Sequence, residues 1–200
     1  MPSIAEGVRH FERDIYPVKA GLFAQLATHH APGTLFIGCS DARVVPELIT
    51  SSEPGELFVI RTAGNLVPAY CPGADSVTAS IEYAVTVLSV SDIIVCGHTS
   101  CGAMTALAEG HDLTGVPAVA DWLRNADAAR ARSTEPNDVS ALVRENVLTQ
   151  LTALATHPSV ARGLARGTLT THGWVFDIAN GHVEALDGRI PTGPPRALPA

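Results

Sequence analysis

Two short stretches of this 200-residue chain hold residue types that can bind a metal: Cys39-Ser40-Asp41-Ala42-Arg43 and His98-Thr99-Ser100-Cys101. Zinc favours thiolate sulfur and imidazole nitrogen, and a catalytic zinc keeps three protein ligands and leaves a fourth position for water. Cys39, His98 and Cys101 make such a set. His98 and Cys101, three residues apart, can turn toward one point. Asp41 and Arg43 can form a charge-assisted pair. A carboxylate held in that way stays off the metal and is free to accept a hydrogen bond from metal-bound hydroxide. Plainer readings stand beside these. Cys39 alone reads as an inert buried cysteine, and Asp41–Arg43 alone reads as an ion pair closing a turn.

The elements around these residues decide between the readings. Residues 34–38 form a short apolar run bounded by turn residues, the pattern of a buried strand, and this strand delivers Cys39 at its C-terminal end. Residues 57–60 and 93–96 read the same way, and the third run delivers His98. Short helices are expected from 45 to 49, from 76 to 88 and from 103 onward. Strand, loop and helix in alternation imply parallel strands joined by crossovers. Such sheets bind ligands beyond the carboxyl ends of their strands, where Cys39 and His98 both fall. Residues 3–29 carry Phe11, Ile15, Val18, Leu22 and Leu26 at helical spacing, with a kink expected at Pro17. Residues 117–165 are expected to be mostly helical, most clearly over 124–132 and 139–154. Residues 173–178 and 182–186 flank Asn180-Gly181, a hairpin signal. The expected fold is therefore a single α/β domain over residues 1–200. It has a mostly parallel central sheet with flanking helices, an antiparallel C-terminal hairpin strand, an N-terminal helical arm (1–30) and a proline-rich tail (188–200).

Bulk properties narrow the partners. The formal net charge is −7 with no run of Lys or Arg, so neither nucleic acid nor an anionic membrane is an expected partner. No stretch is long and apolar enough for a transmembrane helix, and the charged start lacks the core of a secretory signal, so the cytoplasm is the expected compartment. There, four cysteines argue for metal binding or catalysis over disulfides. Cys96 is expected in the core and Cys71 in an exposed loop. His10, His111, His157, His172 and His182 lack metal spacing and read as surface or structural. Apolar residues make up 46% of the chain, which favours an oligomer.

Cys39-Ser40-Asp41-Ala42-Arg43, then Glu53-Pro54-Gly55-Glu56, then Gly97-His98-x-x-Cys101-Gly102 resemble the beta-class carbonic anhydrases in order, gaps and flanking residues, over residues 33–187. The resemblance implies one zinc ion per chain on Cys39, His98 and Cys101, with Asp41 and Arg43 as the catalytic dyad. It implies reversible hydration of carbon dioxide to bicarbonate and a proton by zinc-bound hydroxide. Phe58, Ala63 and Tyr83 fall where the family lines its substrate tunnel. Gly102 falls where a backbone N–H meets a bicarbonate oxygen, although a tight turn needing glycine would also explain it. His30 stands where many members carry a site glutamine; it could bond substrate or shuttle protons. Members inhibited by bicarbonate at a second site carry a Trp, a Tyr and an Arg where this chain has Phe36, Phe176 and Arg61, so an open site without that control is expected. The resemblance also implies a homo-oligomer with a dimer as its smallest unit, the N-terminal helices clasping the neighbour. Hydrolysis of carbonyl sulfide or carbon disulfide on the same scaffold, and a non-catalytic zinc module, are the alternatives.

Overall fold

Each apolar run becomes a strand. In the computed structural model, which describes residues 3–73 and 75–186, the sheet contains β1 (Thr34–Cys39), β2 (Leu57–Thr62), β3 (Asp92–His98), β4 (Thr170–Phe176) and β5 (Val183–Ala185). Their order is β2-β1-β3-β4-β5, with the first four parallel and β5 antiparallel to β4. The runs show no polar alternation because both faces of the central strands are covered. Leu35, Ile37, Ile93, Val95 and Val175 pack on one face, and Phe36, Ile94, Cys96 and Trp174 on the other. Register places Cys39 beside Thr62, and Gly38 beside Cys96. The C-terminal ends of β1 and β3 thus lie side by side.

The helices are α1 (Ile4–His10), α2 (Tyr16–Leu26), α3 (Pro46–Thr50), α4 (Ser76–Glu82), α5 (Gly102–Ala108), α6 (Pro117–Leu123), α7 (Asp127–Arg132), α8 (Val139–Leu154) and α9 (Pro158–Arg166). The interruption expected at Pro17 lies just before it: residues 11–15 form a wider π turn, in which the Tyr16 N–H reaches the Phe11 carbonyl. Pro17 has no N–H for the carbonyl four residues back, so the backbone widens before the proline and α2 restarts with proline in its first turn. The helix expected over 76–88 also ends in a π turn, residues 83–87. The long helical stretch resolves into α6 to α9. Three of the helices begin at a good cap: Ser3 and Glu6 form a capping box, Asp75 accepts from the N–H groups of Val77 and Thr78, and Asp138 accepts from that of Ala141.

The hairpin differs from its expectation. Phe176 pairs with Val183, so the connection is Asp177–His182, not a tight Asn180-Gly181 turn. Asp177 organises that loop by accepting from the Ala179 N–H and from Asn180 Nδ2. Only Gly181 takes a positive φ, +76°, whereas a type I′ turn needs one at both central residues. The proline-rich tail lies outside the described residues.

α8 runs directly across the sheet. A Cβ on Gly97 would lie 2.8 Å from Val147 Cγ2 and 3.3 Å from Val143 Cγ1. Glycine here lets α8 rest on β3 immediately before His98.

Candidate metal centre

Beyond β1 the chain turns sharply, and Asp41 and Arg43 project from that turn. Arg43 grips Asp41 with three donors: Nε to Oδ1 at 2.9 Å, Nη2 to Oδ2 at 2.7 Å and the backbone N–H to Oδ1 at 2.9 Å. Nη2 also donates to the Ser100 carbonyl at 3.0 Å, tying this loop to the one that follows β3. These bonds from Arg43 hold the Asp41 carboxyl well below the usual carboxylate range. Arg61 braces the same turn from β2 by donating to the carbonyls of Cys39, Asp41 and Val44 at 3.1, 2.6 and 2.8 Å.

Beyond β3, Ser100 adopts φ +55° and folds the chain back, so that Cys101 opens α5 beside His98. The ligand atoms of Cys39, His98 and Cys101 lie within 4.8 Å of one another, and all three residues are buried. Three such atoms gathered in one place can close round a single zinc ion with little movement. Two further observations fit a metal here. His98 Nδ1 sits 2.9 Å from the Thr99 carbonyl, so it carries the proton and leaves Nε2 with its lone pair. That Nε2 is buried and has no hydrogen-bond partner among the described residues, a costly arrangement unless a ligand completes it.

The electrostatics favour thiolate. A bond from Cys101 pulls the Cys39 thiol down to about 4 against burial, helped by His98 and by the N–H groups of Asp41 and Gly64. The Cys101 thiol is pushed up by sharing that proton with Cys39, with burial adding to the effect, while the first N–H groups of α5 oppose the rise. The metal-free pair thus retains one proton that a metal would displace. Burial opposes a charge on His98, but the neighbouring Cys39 thiolate raises its pKa nonetheless. Asp41 Oδ2 stands 3.9 Å from His98 Nε2, at the edge of the cluster.

The other expected site residues are less tightly gathered. Phe58 lies half-buried, with its ring centroid 6.0 Å from Tyr83 and 6.5 Å from His30, so these three form a row. Tyr83 and His30 are exposed in the chain. Ala63 opens the turn after β2, and its carbonyl accepts from Trp122 Nε1 at 2.9 Å. Gly102 is not held in a positive-φ turn, and a Cβ there would meet nothing within 4 Å. A tight turn therefore does not explain its glycine. Cys96 is fully buried and pushed up to about 12 by desolvation, in keeping with a core thiol, and Cys71 is exposed. His157 and His172 are structural: the first lies 3.0 Å from the Pro68 carbonyl, the second 2.9 Å from Asp92 Oδ1. The sequence reading overlooked Gly64, whose N–H reaches Cys39 Sγ at 3.4 Å, and the buried α8 amides Asn146 and Gln150 that hold the turn around it. Neither amide carries a sequence signal, since a polar residue on a helix reads as solvated.

Known proteins resemble this chain in sequence and fold. The family model described as carbonic anhydrase matches residues 34–183. A carbonic anhydrase of Pseudomonas aeruginosa is 56% identical over 194 residues, which cover 94% of this chain and 88% of that protein. The solved beta-carbonic anhydrase CcaA superposes with a TM-score of 0.86 at 41% identity, covering 91% of this chain and 85% of its own. One of two tetrameric beta-carbonic anhydrases from Sordaria macrospora superposes at 0.73 with 30% identity, covering 91% of each chain. The chain, with its Cys-His-Cys cluster at the ends of two parallel strands, belongs to the beta class of the carbonic anhydrase family.

Proposed function

We propose that this protein catalyses the reversible hydration of carbon dioxide to bicarbonate and a proton, with one zinc ion per chain held by Cys39, His98 and Cys101. The observation that carries this reading is the ionised Asp41, pinned by Arg43 at the edge of the cluster. Zinc at these ligands supplies a positive charge that lowers the pKa of water toward about 7.

The residues of the chain do the rest. An ionised carboxylate only accepts hydrogen bonds. Any O–H group entering the site therefore turns its hydrogen to Asp41 and its lone pair away, toward the carbon of the substrate. Arg43 keeps Asp41 both ionised and turned aside, so that the carboxylate does not occupy the position needed for chemistry. Gly102, an exposed residue at the start of α5, donates its N–H to a bicarbonate oxygen in this reading. Phe58, Ala63 and Tyr83 form the apolar approach, with His30 at its outer end. Cys39 and Cys101 must stay reduced to hold the metal, which favours a cytoplasmic setting.

The functional unit is a homo-oligomer with a dimer at its base. α1 and α2 bury no residue in their own chain, and Ile4 and Val18 are 90% and 85% exposed. Apolar exposure on that scale calls for a partner surface.

Stopped-flow hydration of carbon dioxide by the zinc-loaded protein, beside Asp41→Asn, tests the assignment. Hydration should be fast, and the variant should lose about 10²-fold or more. Full zinc occupancy without hydration at any pH would reject it, and turnover of carbonyl sulfide or carbon disulfide instead would redirect it.

A further inference from the structure

α8 buries two amide side chains one turn apart, Asn146 and Gln150, both fully inaccessible. Their orientations follow from the backbone groups at the ends of the chain of bonds. The Val67 N–H donates to Gln150 Oε1 at 2.8 Å, which fixes that atom as the oxygen. Gln150 Nε2 then donates to the Asn125 carbonyl at 3.1 Å and to Asn146 Oδ1 at 2.9 Å. Asn146 therefore presents Nδ2 to the Gly64 carbonyl at 3.0 Å. On the other side of that residue, the Gly64 N–H donates to Cys39 Sγ at 3.4 Å.

Gly64 cannot easily be anything else. It takes φ +73°, and a Cβ would lie 3.0 Å from that of Ala103. Trp122 holds the preceding carbonyl, that of Ala63. The peptide units on either side of Gly64 are thus aimed by side chains from α6 and α8, and the sulfur they meet is that of Cys39. The N–H that meets Cys39 belongs to the Ala63–Gly64 peptide, whose carbonyl Trp122 holds, while Asn146 holds the next peptide and so fixes the backbone about the Gly64 Cα, in buried surroundings that strengthen such bonds. Groups that hydrogen-bond metal ligands set both the orientation of the ligand and the charge it donates.

We propose that Asn146 is a positioning residue for the metal ligand Cys39, acting through the Gly64 backbone, with Gln150 fixing the direction in which its amide points. The proposal rests on the zinc-site reading above. The Gly64 N–H draws electron density from the sulfur, so a Gly64 backbone released by Asn146 would turn that N–H away and leave Cys39 a stronger but less well-aimed donor.

The test uses folded, cobalt-substituted protein and the thiolate-to-cobalt charge-transfer absorption. A hydrogen bond to sulfur lowers its lone-pair energy, so losing the bond moves the band to longer wavelength. Asn146→Asp keeps the shape and the acceptor for Gln150 but sets a carboxylate oxygen against the Gly64 carbonyl. Asn146→Ala removes the amide without adding charge, and it decides the case if the aspartate variant does not fold. Both should show the band at longer wavelength, and their zinc-loaded forms should release zinc to a chelator about 10-fold faster or more. A band at the wild-type position, even with a lowered melting temperature, would mean that Asn146 only supports the fold and would overturn the proposal. A wild-type protein that shows no charge-transfer band on cobalt loading would instead sink the metal-site reading itself.

Discussion

The proposed chemistry turns on Asp41, and the surroundings of this residue make it testable apart from catalysis. Its pKa is depressed chiefly by the Arg43 side chain, so the folded state binds the Asp41 proton more weakly than the unfolded chain does. A depressed carboxylate contributes stability that is fully present above its unfolded pKa of about 4 and is lost as pH falls through the lower folded value. Asp41→Asn removes the ionisable group and leaves Arg43 facing a neutral amide. The stability gap between wild type and variant should therefore stay constant from about pH 7 to about pH 5 and close below about pH 4. Urea midpoints across that range measure it. A gap that widened on acidification would mean that Arg43 does not hold Asp41 ionised in the folded protein, and the orienting role of the carboxylate would fall with it.

At the scale of elements, the contact between β3 and α8 sets the height of the metal site. Gly97 lies between Cys96 and His98, and the space a Cβ would need is filled by Val147 and Val143. Gly97→Ala should cost about 1–3 kcal/mol by overpacking, lower the melting temperature and loosen zinc, because the push falls next to a ligand. Adding Val147→Ala, which removes the nearest methyl group, should restore most of both losses. A double variant no better than Gly97→Ala would show that the strain lies elsewhere. The same contact marks how far these elements could be read from the sequence. Strands β1, β2 and β3 were legible because short apolar runs between turn residues have few other uses, and with them came the placing of Cys39, His98 and Cys101. The π turns at 11–15 and 83–87 were not, since they leave the spacing of apolar residues almost unchanged. The six-residue loop at 177–182 was hidden by a local Asn-Gly signal that tertiary pairing overrode. Asn146 and Gln150 were hidden for a different reason: what makes them buried is the Gly64 turn, some 80 residues away in sequence.

Across the whole molecule, the N-terminal arm is the part its own chain supports least. Phe11, Tyr16 and Phe23 stack on one another at 5.4–6.2 Å. The ties from arm to body include an ion pair between Lys19 and Glu53 and the packing of Leu26 over Gly55. Helices this short do not persist in water by propensity alone, so the arm needs apolar cover that its own chain does not give. The net charge of −7 works against association, which makes burial of that apolar surface the natural driving force for assembly. Tyr83 is likewise 44% exposed in the single chain, although its ring meets that of Phe58, which in turn meets that of His30. A second copy that covered the arm and closed over Tyr83 would answer both exposures at once, and the approach to the metal would then be complete only in the oligomer. Removing residues 1–29 should therefore convert a dimer or larger assembly into a monomer by light scattering. The three ligands lie outside the deleted segment, so zinc should still bind. Hydration activity should fall, because the apolar approach beside Tyr83 would then lose the cover of the second copy. A full-length chain that ran as a monomer, or a truncated chain that kept its assembly, would remove the arm from the interface and leave its exposed face to some other partner.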